Sequence, residues 1–148
     1  MPLIELNNLN DARLRVFSSM TDSELRDPKQ LVGLRLATGS DVSDDGLFIA
    51  ESRNVIERAM DAGLTPFALL TDKRWAPACE ELFARINATA PSTPLFVGTR
   101  QQVFELTGYE RTRGPLAAFN RPILPDVATL LRTATRVAIC LLYTSDAA

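Results

Sequence analysis

The residues of this sequence that most clearly suggest a binding role are basic residues in or next to its expected loops. Residues 111–121 contain Arg111, Arg113 and Arg121 and no acidic residue. The planar guanidinium group suits contact with phosphate, and Gly114, next to Arg113, lets a sugar–phosphate backbone approach the chain closely. Three arginines within this segment are also typical of an ordinary solvated loop. The pattern therefore indicates a candidate phosphate-binding loop, with a solvated loop as the alternative.

Two further cationic positions, Arg53 and Lys73, each follow an apolar run of strand length. Ligands of α/β proteins bind at the carboxyl edge of the sheet, so both side chains are candidates for that edge. Arg74 and Trp75 follow Lys73 directly, and two cations beside an aromatic ring could contact a phosphate and stack on a base. The alternative is that Trp75 covers the edge of the core while the two cations are solvated.

Several kinds of active site are excluded by residue counts. Histidine is absent, which excludes a histidine base, a Ser–His pair or a histidine metal ligand within this chain. The two cysteines, Cys79 and Cys140, are too few for a disulfide framework or a four-cysteine zinc site, and their apolar surroundings favour buried thiols. No Walker loop, GxGxxG or GxSxG motif is present. The sequence therefore predicts no catalytic residue and no metal site.

The composition of the 148 residues is that of an ordinary globular chain. Hydrophobic residues make up 46% and charged residues 23%, which excludes a largely disordered protein. No apolar run reaches the roughly 18 residues of a membrane-spanning helix, and the N-terminus does not follow the pattern of a secretory signal. A net charge of −2 argues against unspecific coating of nucleic acid. We therefore expect a soluble, cytoplasmic protein without membrane contact.

Short apolar runs alternate with amphipathic segments from residue 47 onward, and this alternation predicts the fold. The runs lie at residues 47–50, 66–71, 95–97 and 116–120. Each is apolar throughout, which is typical of strands covered on both faces. We therefore expect an α/β fold, a three-layer α/β/α sandwich over residues 47–121. The side chains expected in its core include Val55, Ile56, Phe67, Leu69, Phe83, Phe96, Val97, Phe104 and Leu116.

The segments on either side of the sandwich have weaker patterns. Residues 1–46 are expected to form a peripheral helical arm, with a capping box in its second helix and a loop or insertion over residues 27–46. Residues 122–135 are expected to form a linker and a short helix. Residues 136–148 are expected to begin with a further strand and to end in a tail.

A set of short motifs gives residues 47–125 a resemblance to a known family. The motifs are FIAES at 48–52, AMDAG at 59–63, LTG at 106–108, RGPLA at 113–117 and the prolines at 122 and 125. In this order and spacing they resemble the N-terminal substrate-binding domain of SpoU/TrmH-type RNA methyltransferases. Each motif alone is common, whereas the set together is specific.

The resemblance implies a ribosomal-protein-like α/β/α domain that binds structured RNA, either ribosomal or transfer RNA. In the family, a following knotted domain binds S-adenosylmethionine and methylates a ribose 2′-oxygen, and a homodimer through that domain is implied as well. Gly98 and Gly108 are expected, like Gly114, to open loops to a sugar–phosphate backbone. The candidate RNA-binding residues are Arg53, Lys73, Arg111, Arg113, Gly114 and Arg121.

The sequence departs from the family pattern at Ser52 and near its end. The family has glycine where Ser52 stands, and serine is expected to be tolerated there as the N-cap of the next helix. The last residues, LLYTSDAA at 141–148, match no continuation of the pattern and look like a translated sequencing-adapter remnant. The segments that hold S-adenosylmethionine in the family are absent. The resemblance thus predicts an RNA-binding part of an RNA 2′-O-methyltransferase that is inactive by itself.

Two alternatives to this hypothesis remain open on the sequence. One is a stand-alone RNA-binding module of the same fold that has no catalytic role. The other is an α/β domain that serves dimerisation or binds a small ligand and does not contact RNA. The slight acidic excess and the lack of a long basic stripe favour the second alternative.

Overall fold

A five-stranded mixed β-sheet forms the centre of the molecule. The structure, a computed structural model, describes residues 3–18, 20–38, 42–109 and 114–138. The strands are β1 (Ile4–Glu5), β2 (Leu47–Glu51), β3 (Pro66–Asp72), β4 (Leu95–Gly98) and β5 (Leu116–Asn120). They lie side by side in the order β1-β4-β3-β5-β2. The four strands expected from the sequence are confirmed, and β1 is an addition.

The directions of the strands place the ends of four strands and the start of the fifth at one edge of the sheet. β4 pairs in parallel with β1 and β3, and β5 pairs antiparallel with β3 and β2. The first four strands therefore run in the same direction and end at the edge where β5 begins. At that edge Asp72 of β3 lies opposite Gly98 of β4. Glu51 of β2 lies there too, opposite Leu116 of β5. We call this edge the carboxyl edge.

Seven α-helices lie in the described part of the chain. They are α1 (Arg15–Ser18), α2 (Asp22–Arg26), α3 (Pro28–Thr38), α4 (Arg53–Asp61), α5 (Glu80–Thr89), α6 (Arg100–Thr107) and α7 (Val127–Thr133). Two 3₁₀ turns, Ala12–Leu14 and Pro77–Cys79, precede α1 and α5.

Alternate side chains of the sheet join two separate cores, one on each face. On β5, Leu116 and Ala118 belong to the first core. Ala117 and Phe119 belong to the second. Helices α1, α2, α3 and α6 cover the first face, and α4 and α5 cover the second. The structure thus confirms the three-layer α/β/α sandwich.

Most of the expected core residues are buried, but two are not. Those confirmed are Ile56, Phe67, Leu69, Phe83, Phe96, Val97 and Leu116. Val55 and Phe104 are 45% and 49% exposed, so the prediction for them is wrong. Successive residues of a helix point about 100° apart. In α4 the buried residue is therefore Ile56, the neighbour of Val55. In α6 the buried residue is Val103, the neighbour of Phe104.

The N-terminal segment is built into the first core, which differs from the expected peripheral arm. β1 extends the sheet, and side chains of the first 42 residues are buried under it, among them Leu14, Phe17, Leu31 and Leu34. The expected loop over 27–46 is wrong in part, since α3 occupies residues 28–38. Leu31 and Leu34 lie three positions apart on α3, on the side that faces the sheet. The division of the chain into four parts stays a prediction.

The capping box in this segment is confirmed. The Thr21 hydroxyl accepts a hydrogen bond from the backbone N–H of Glu24 over 3.3 Å. The Glu24 carboxylate accepts from the backbone N–H of Thr21 over 2.7 Å. Each side chain thus satisfies a backbone donor that the first turn of α2 leaves without a helical partner.

The described C-terminal residues, 122–138, lie on the outside of the molecule. α7 begins after Asp126, whose carboxylate accepts from the backbone N–H of Thr129 over 2.8 Å, and none of its residues is buried. Residues 136–138 belong to no strand, and the rest of the expected strand lies outside the described residues. None of the described helices is long and apolar enough to cross a membrane.

Candidate nucleic-acid interface

The turn after β3 presents three consecutive candidate residues at the carboxyl edge, and Asp72 fixes this turn. The Asp72 carboxylate is 4% exposed and accepts from the backbone N–H of Arg74 over 2.8 Å. Two guanidinium nitrogens of Arg74 donate to the same carboxylate over 3.2 and 2.7 Å. Burial raises the pKa of Asp72, but the hydrogen bonds from Arg74 outweigh this effect and hold the pKa below its ordinary value. Asp72 is therefore a buried anion that positions the turn.

Lys73 lies where β1, β3 and β4 end, as the sequence predicts. Its backbone N–H donates to the Gly98 carbonyl over 2.9 Å. Its ammonium group pairs with Glu5 over 3.1 Å, and both side chains are more than half exposed. Exposed pairs of this kind contribute about 0–1 kcal/mol to stability. Lys73 is therefore a surface cation that can exchange its partner at small cost.

Gly114 and Trp75 lie near each other at the same edge. A methyl group placed on Gly114 would lie 3.6 Å from the indole Cδ2 and Cε3 atoms of Trp75. Gly114 has φ +88°, a conformation that other residues rarely adopt. Trp75 is 37% exposed. The sequence left two alternatives for Trp75, and the structure shows a ring outside both cores that keeps an open surface.

Arg53 begins α4 at the carboxyl edge, but its guanidinium group is engaged within the protein. It donates to Glu57 over 2.7 Å, to Glu81 over 2.7 Å and to the Ala78 carbonyl over 2.8 Å. The hydrogen bond with Glu57, followed by that with Glu81, raises the pKa of Arg53 above its ordinary value. These contacts tie the start of α4 to the turn before α5. Arg53 therefore connects two helices, a role that the sequence did not reveal.

Arg121 lies at the opposite edge of the sheet, away from the other candidates. β5 runs antiparallel to its neighbours, so the residue after its last strand position lies where β2 begins. The Nε of Arg121 donates to the Leu47 carbonyl over 2.9 Å, and its Nη2 donates to Asp22 over 2.8 Å. Its guanidinium carbon lies 6.0 Å from the centre of the Phe48 ring. The structure therefore does not bring Arg121 together with Lys73 and Gly114.

Arg111 and Arg113 lie outside the described residues. Arg113 directly precedes Gly114 in the sequence. Both arginines remain sequence predictions.

The other two glycines expected to open loops differ from each other. A methyl group on Gly98 would lie 2.5 Å from the Leu6 Cδ1 atom, so Gly98 makes room for Leu6 and offers no approach for a ligand. That expectation for Gly98 is wrong. Gly108 ends α6 with φ +77°, and nothing lies within 4 Å of a methyl group placed there.

Ser52 holds a conformation that the sequence did not predict. It occupies the position before α4, as expected, but its side chain makes no capping hydrogen bond. Its φ of +84° and ψ of 151° fall in a region that is essentially restricted to glycine. Its backbone N–H donates to the Pro115 carbonyl over 2.9 Å, which continues the pairing of β2 with β5. The expectation of a low-cost N-cap serine is therefore wrong, because the backbone here favours glycine.

Cys79 lies beneath this region and is buried, as predicted. It is 1% exposed, and burial raises the pKa of its thiol. A buried thiol with a raised pKa is a poor nucleophile. Among the described residues there is also no cluster of three side chains able to hold a metal ion. Cys140 lies outside the described residues.

A cavity of about 330 Å³ opens between the N-terminal helices and β2. Its walls include the side chains of Phe17, Phe48 and Tyr109. The Tyr109 hydroxyl donates to Glu51 over 3.1 Å, at the end of β2. The charged residues among its lining are the acids Asp22 and Glu51, so the cavity does not suit a phosphate.

Comparison with known proteins supports the fold. A scan against protein-family models finds no match, and a search of curated proteins finds none either. Among solved structures, the chain is similar to a crystal structure of an rRNA methyltransferase from Sinorhizobium meliloti, with a TM-score of 0.54 and 16% identity over 83% of this chain. It is also similar to an AdoMet-bound rRNA methyltransferase from the same organism, with a TM-score of 0.47 and 17% identity over 73% of this chain.

The likeness concerns only part of those proteins. The chain covers 39% of the first structure and 37% of the second, so it spans about two fifths of their length. The first likeness shows that the α/β fold of this chain occurs within an rRNA methyltransferase.

Proposed function

We propose that this chain is the RNA-binding part of an S-adenosylmethionine-dependent RNA 2′-O-ribose methyltransferase of the SpoU/TrmH type. The observation that carries the proposal is the likeness of its fold to part of an rRNA methyltransferase. The motifs between residues 48 and 125 support the same family. Ribosomal or transfer RNA is the proposed partner, and the cytoplasm is the proposed location.

The carboxyl edge is the proposed RNA-binding surface. Lys73 and Arg74 supply exposed positive charge there, and Trp75 supplies an aromatic ring. Arg113 adds a further cation because it precedes Gly114 in the chain, and Arg111 lies two residues before it. Arg53 and Arg121 form ion pairs within the protein, so they are not part of the proposed interface.

Lys73 is better suited than Arg74 to exchange its partner for a phosphate. The pair of Lys73 with Glu5 is exposed on both sides, so a phosphate can replace Glu5 with little loss. Arg74 pairs with buried Asp72, and separating them would leave a buried charge without a partner. Arg74 is therefore expected to keep Asp72 and to present its remaining N–H groups to the ligand.

S-adenosylmethionine supplies the methyl group in the proposed reaction of the whole enzyme. The 330 Å³ cavity is not assigned to it, because the two carboxylates of its lining that could bind the cofactor's ammonium or ribose hydroxyls are already engaged, Asp22 by Arg26 and Arg121 and Glu51 by the Tyr109 hydroxyl. We place the cofactor site, the catalytic group and any homodimer contact in a part of the enzyme beyond the described residues. Calorimetry of this chain with S-adenosylmethionine should detect no saturable heat, and micromolar binding would contradict this placement.

RNA binding can be tested with fluorescence anisotropy on a labelled stem–loop RNA over a range of NaCl concentrations. We expect affinity to fall with salt with a slope that corresponds to about three to five phosphate contacts. Lys73→Ala and Arg113→Ala should each weaken binding and reduce the slope by about one contact. Lys29→Ala is the matched control, because Lys29 is an exposed lysine on α3. Equal affinity of the wild type and both edge variants would contradict the proposed interface.

A specific observation favours the dimerisation domain as a second candidate function. Apolar side chains of the C-terminal segment are exposed, among them Ile123, Leu124, Val127, Leu130 and Leu131. Val127, Leu130 and Leu131 recur at the three- and four-residue spacing of one face of α7, and exposed apolar faces are typical of association sites. Sedimentation of the chain across a concentration series measures its self-association. Self-association without the salt-dependent RNA binding described above supports the dimerisation domain over the RNA-binding function.

A further inference from the structure

Trp75 is held in place by the turn that carries it. Its backbone N–H donates to the Asp72 carbonyl over 3.1 Å, and the next residue, Ala76, donates to the same carbonyl over 3.2 Å. The Asp72 carboxylate fixes the intervening residue Arg74 from the other side of the turn. Because the backbone is already ordered, a ligand that contacts Trp75 loses little affinity to ordering this turn.

Gly114 lies near one face of the indole ring, and its missing side chain leaves space there. A methyl group on Gly114 would lie 3.6 Å from Cδ2, 3.6 Å from Cε3 and 3.9 Å from Cγ of Trp75. Nearly equal distances to three adjacent ring atoms place that position above the ring plane, not at its rim. Trp75 is 37% exposed, so its ring presents open surface to a ligand.

Two exposed cationic residues directly precede Trp75 in the chain. The side chains of these residues, Lys73 and Arg74, are 53% and 51% exposed. A nucleotide carries its phosphates next to its base, so a binding site for one nucleotide needs positive charge beside a flat apolar surface. The three consecutive residues 73–75 supply both kinds of group on one turn.

We propose that Trp75 stacks on an unpaired RNA base while Lys73 and Arg74 contact the adjoining phosphates. The proposal rests on the proposed RNA-binding function and specifies its substrate: RNA that offers a single-stranded loop or bulge. Inside an A-form helix each base face is covered by its neighbours, so a stacking side chain gains no access there. The carboxyl edge therefore selects unpaired nucleotides over continuous duplex.

Trp75 is the single tryptophan of the chain, so its fluorescence reports on this site alone. The experiment titrates the wild type, Trp75→Ala, Trp75→Phe and Lys73→Ala with two RNAs of equal length: a hairpin with an unpaired loop and a blunt duplex. Anisotropy of labelled RNA gives the affinities, and tryptophan emission is followed in parallel. Circular dichroism checks that each variant is folded.

The proposal expects the hairpin to quench Trp75 more strongly than the duplex does. Trp75→Ala should lower hairpin affinity by roughly tenfold, a value typical of a lost base–aromatic stack, and change duplex affinity by less than about twofold. Trp75→Phe should retain most of the hairpin affinity. If Trp75→Ala does not fold, quenching in the wild type and the affinity of Trp75→Phe decide the question.

Two different results would overturn the proposal, and they are distinguishable. If RNA binds in a salt-dependent manner and Lys73→Ala weakens it, but Trp75 emission and the Trp75 variants show no preference for the hairpin, stacking is excluded while the proposed function stands. If neither RNA binds the wild type, both the proposed function and the stacking proposal fail.

Discussion

Arg121 donates to the carboxylate of Asp22 over 2.8 Å, although the two residues lie 99 positions apart in the sequence. The same guanidinium group donates to the Leu47 carbonyl, at the start of β2. Arg121 therefore joins three parts of the chain: the N-terminal helices, the first long strand and the end of the last strand. This position explains why an arginine that looked like part of a phosphate-binding loop belongs to the structural framework.

Replacing Arg121 should affect stability and leave RNA binding unchanged. Arg121→Ala removes one hydrogen bond to a partly buried carbonyl and one ion pair, so we expect the free energy of unfolding to fall by about 1–3 kcal/mol. RNA affinity should stay within about twofold of the wild type, because Arg121 lies at the edge opposite Lys73. Urea unfolding and RNA anisotropy measure the two effects.

Arg26→Ala serves as the control for Arg121→Ala. Arg26 pairs with the same Asp22 carboxylate over 2.6 Å, but both side chains of this pair are well exposed. Such a pair contributes about 0–1 kcal/mol. If Arg121→Ala lost much of its RNA affinity while its stability stayed unchanged, Arg121 would have to be part of the RNA-binding surface.

Ser52 offers a test of backbone strain at the carboxyl edge. With φ +84° and ψ 151°, its conformation costs about 1–3 kcal/mol in a residue other than glycine. Ser52→Gly relieves this cost, while the added freedom of glycine in the unfolded chain offsets about 0.5–1 kcal/mol of the gain. We expect the free energy of unfolding to rise by about 1 kcal/mol.

Ser52→Ala separates strain from side-chain effects. The serine side chain makes no capping hydrogen bond, and alanine keeps the same backbone strain. The stability of Ser52→Ala should therefore remain within about 0.5 kcal/mol of the wild type. A destabilised Ser52→Gly protein would show that the strain inferred from the backbone angles is absent.

Phe96 and Phe104 provide a matched test of the core assignment. Phe96 is 1% exposed within the first core, and Phe104 is 49% exposed on the outer side of α6. Phe96→Ala should lower the free energy of unfolding by about 3–5 kcal/mol, because it leaves a cavity. Phe104→Ala should cost less than about 1 kcal/mol. Equal losses in chemical denaturation would contradict the helix orientation of α6.

The central fold could be predicted from the sequence because its strands are apolar throughout. The run from Leu95 to Val97, for example, is apolar at every position, so it does not fit an amphipathic helix. β1 was missed because two residues, Ile4 and Glu5, are too few to produce a pattern. α3 was missed because Gly33 interrupts a segment with little periodicity. These elements are fixed by contacts with the sheet, which a local pattern does not contain.

The candidate site could be predicted in part, and strand direction explains much of the rest. Lys73 and Arg121 each follow an apolar strand, and the sequence offers no means to tell that β5 runs opposite to β3. The two residues therefore lie at opposite edges. Arg53 was placed at the correct edge, but its partner Glu81 lies 28 positions away and could not be inferred.

The pH dependence of stability should reveal the role of Asp72. Its pKa is lowered in the folded protein, so its ionised form contributes stability above the pKa of an unfolded aspartate, and this contribution is lost as the pH falls through the folded pKa. Asp72→Asn removes the charge that holds Arg74. At pH 7 we expect the variant to be less stable by about 1–3 kcal/mol.

The difference between wild type and Asp72→Asn should shrink as the pH is lowered from about 5 towards the folded pKa, since the wild type then also loses its carboxylate charge. Asp11 and Asp126 also have lowered pKa values, but both proteins contain them, so their contributions cancel in the difference. Asp44→Asn is the control, because Asp44 is 92% exposed and its replacement should change stability little at any pH. Urea unfolding of the three proteins between pH 7 and pH 3 measures the effect. A stability difference for Asp72→Asn that stays constant over this range would show that the buried carboxylate stabilises the turn by its shape and hydrogen bonds alone, without a contribution from its charge.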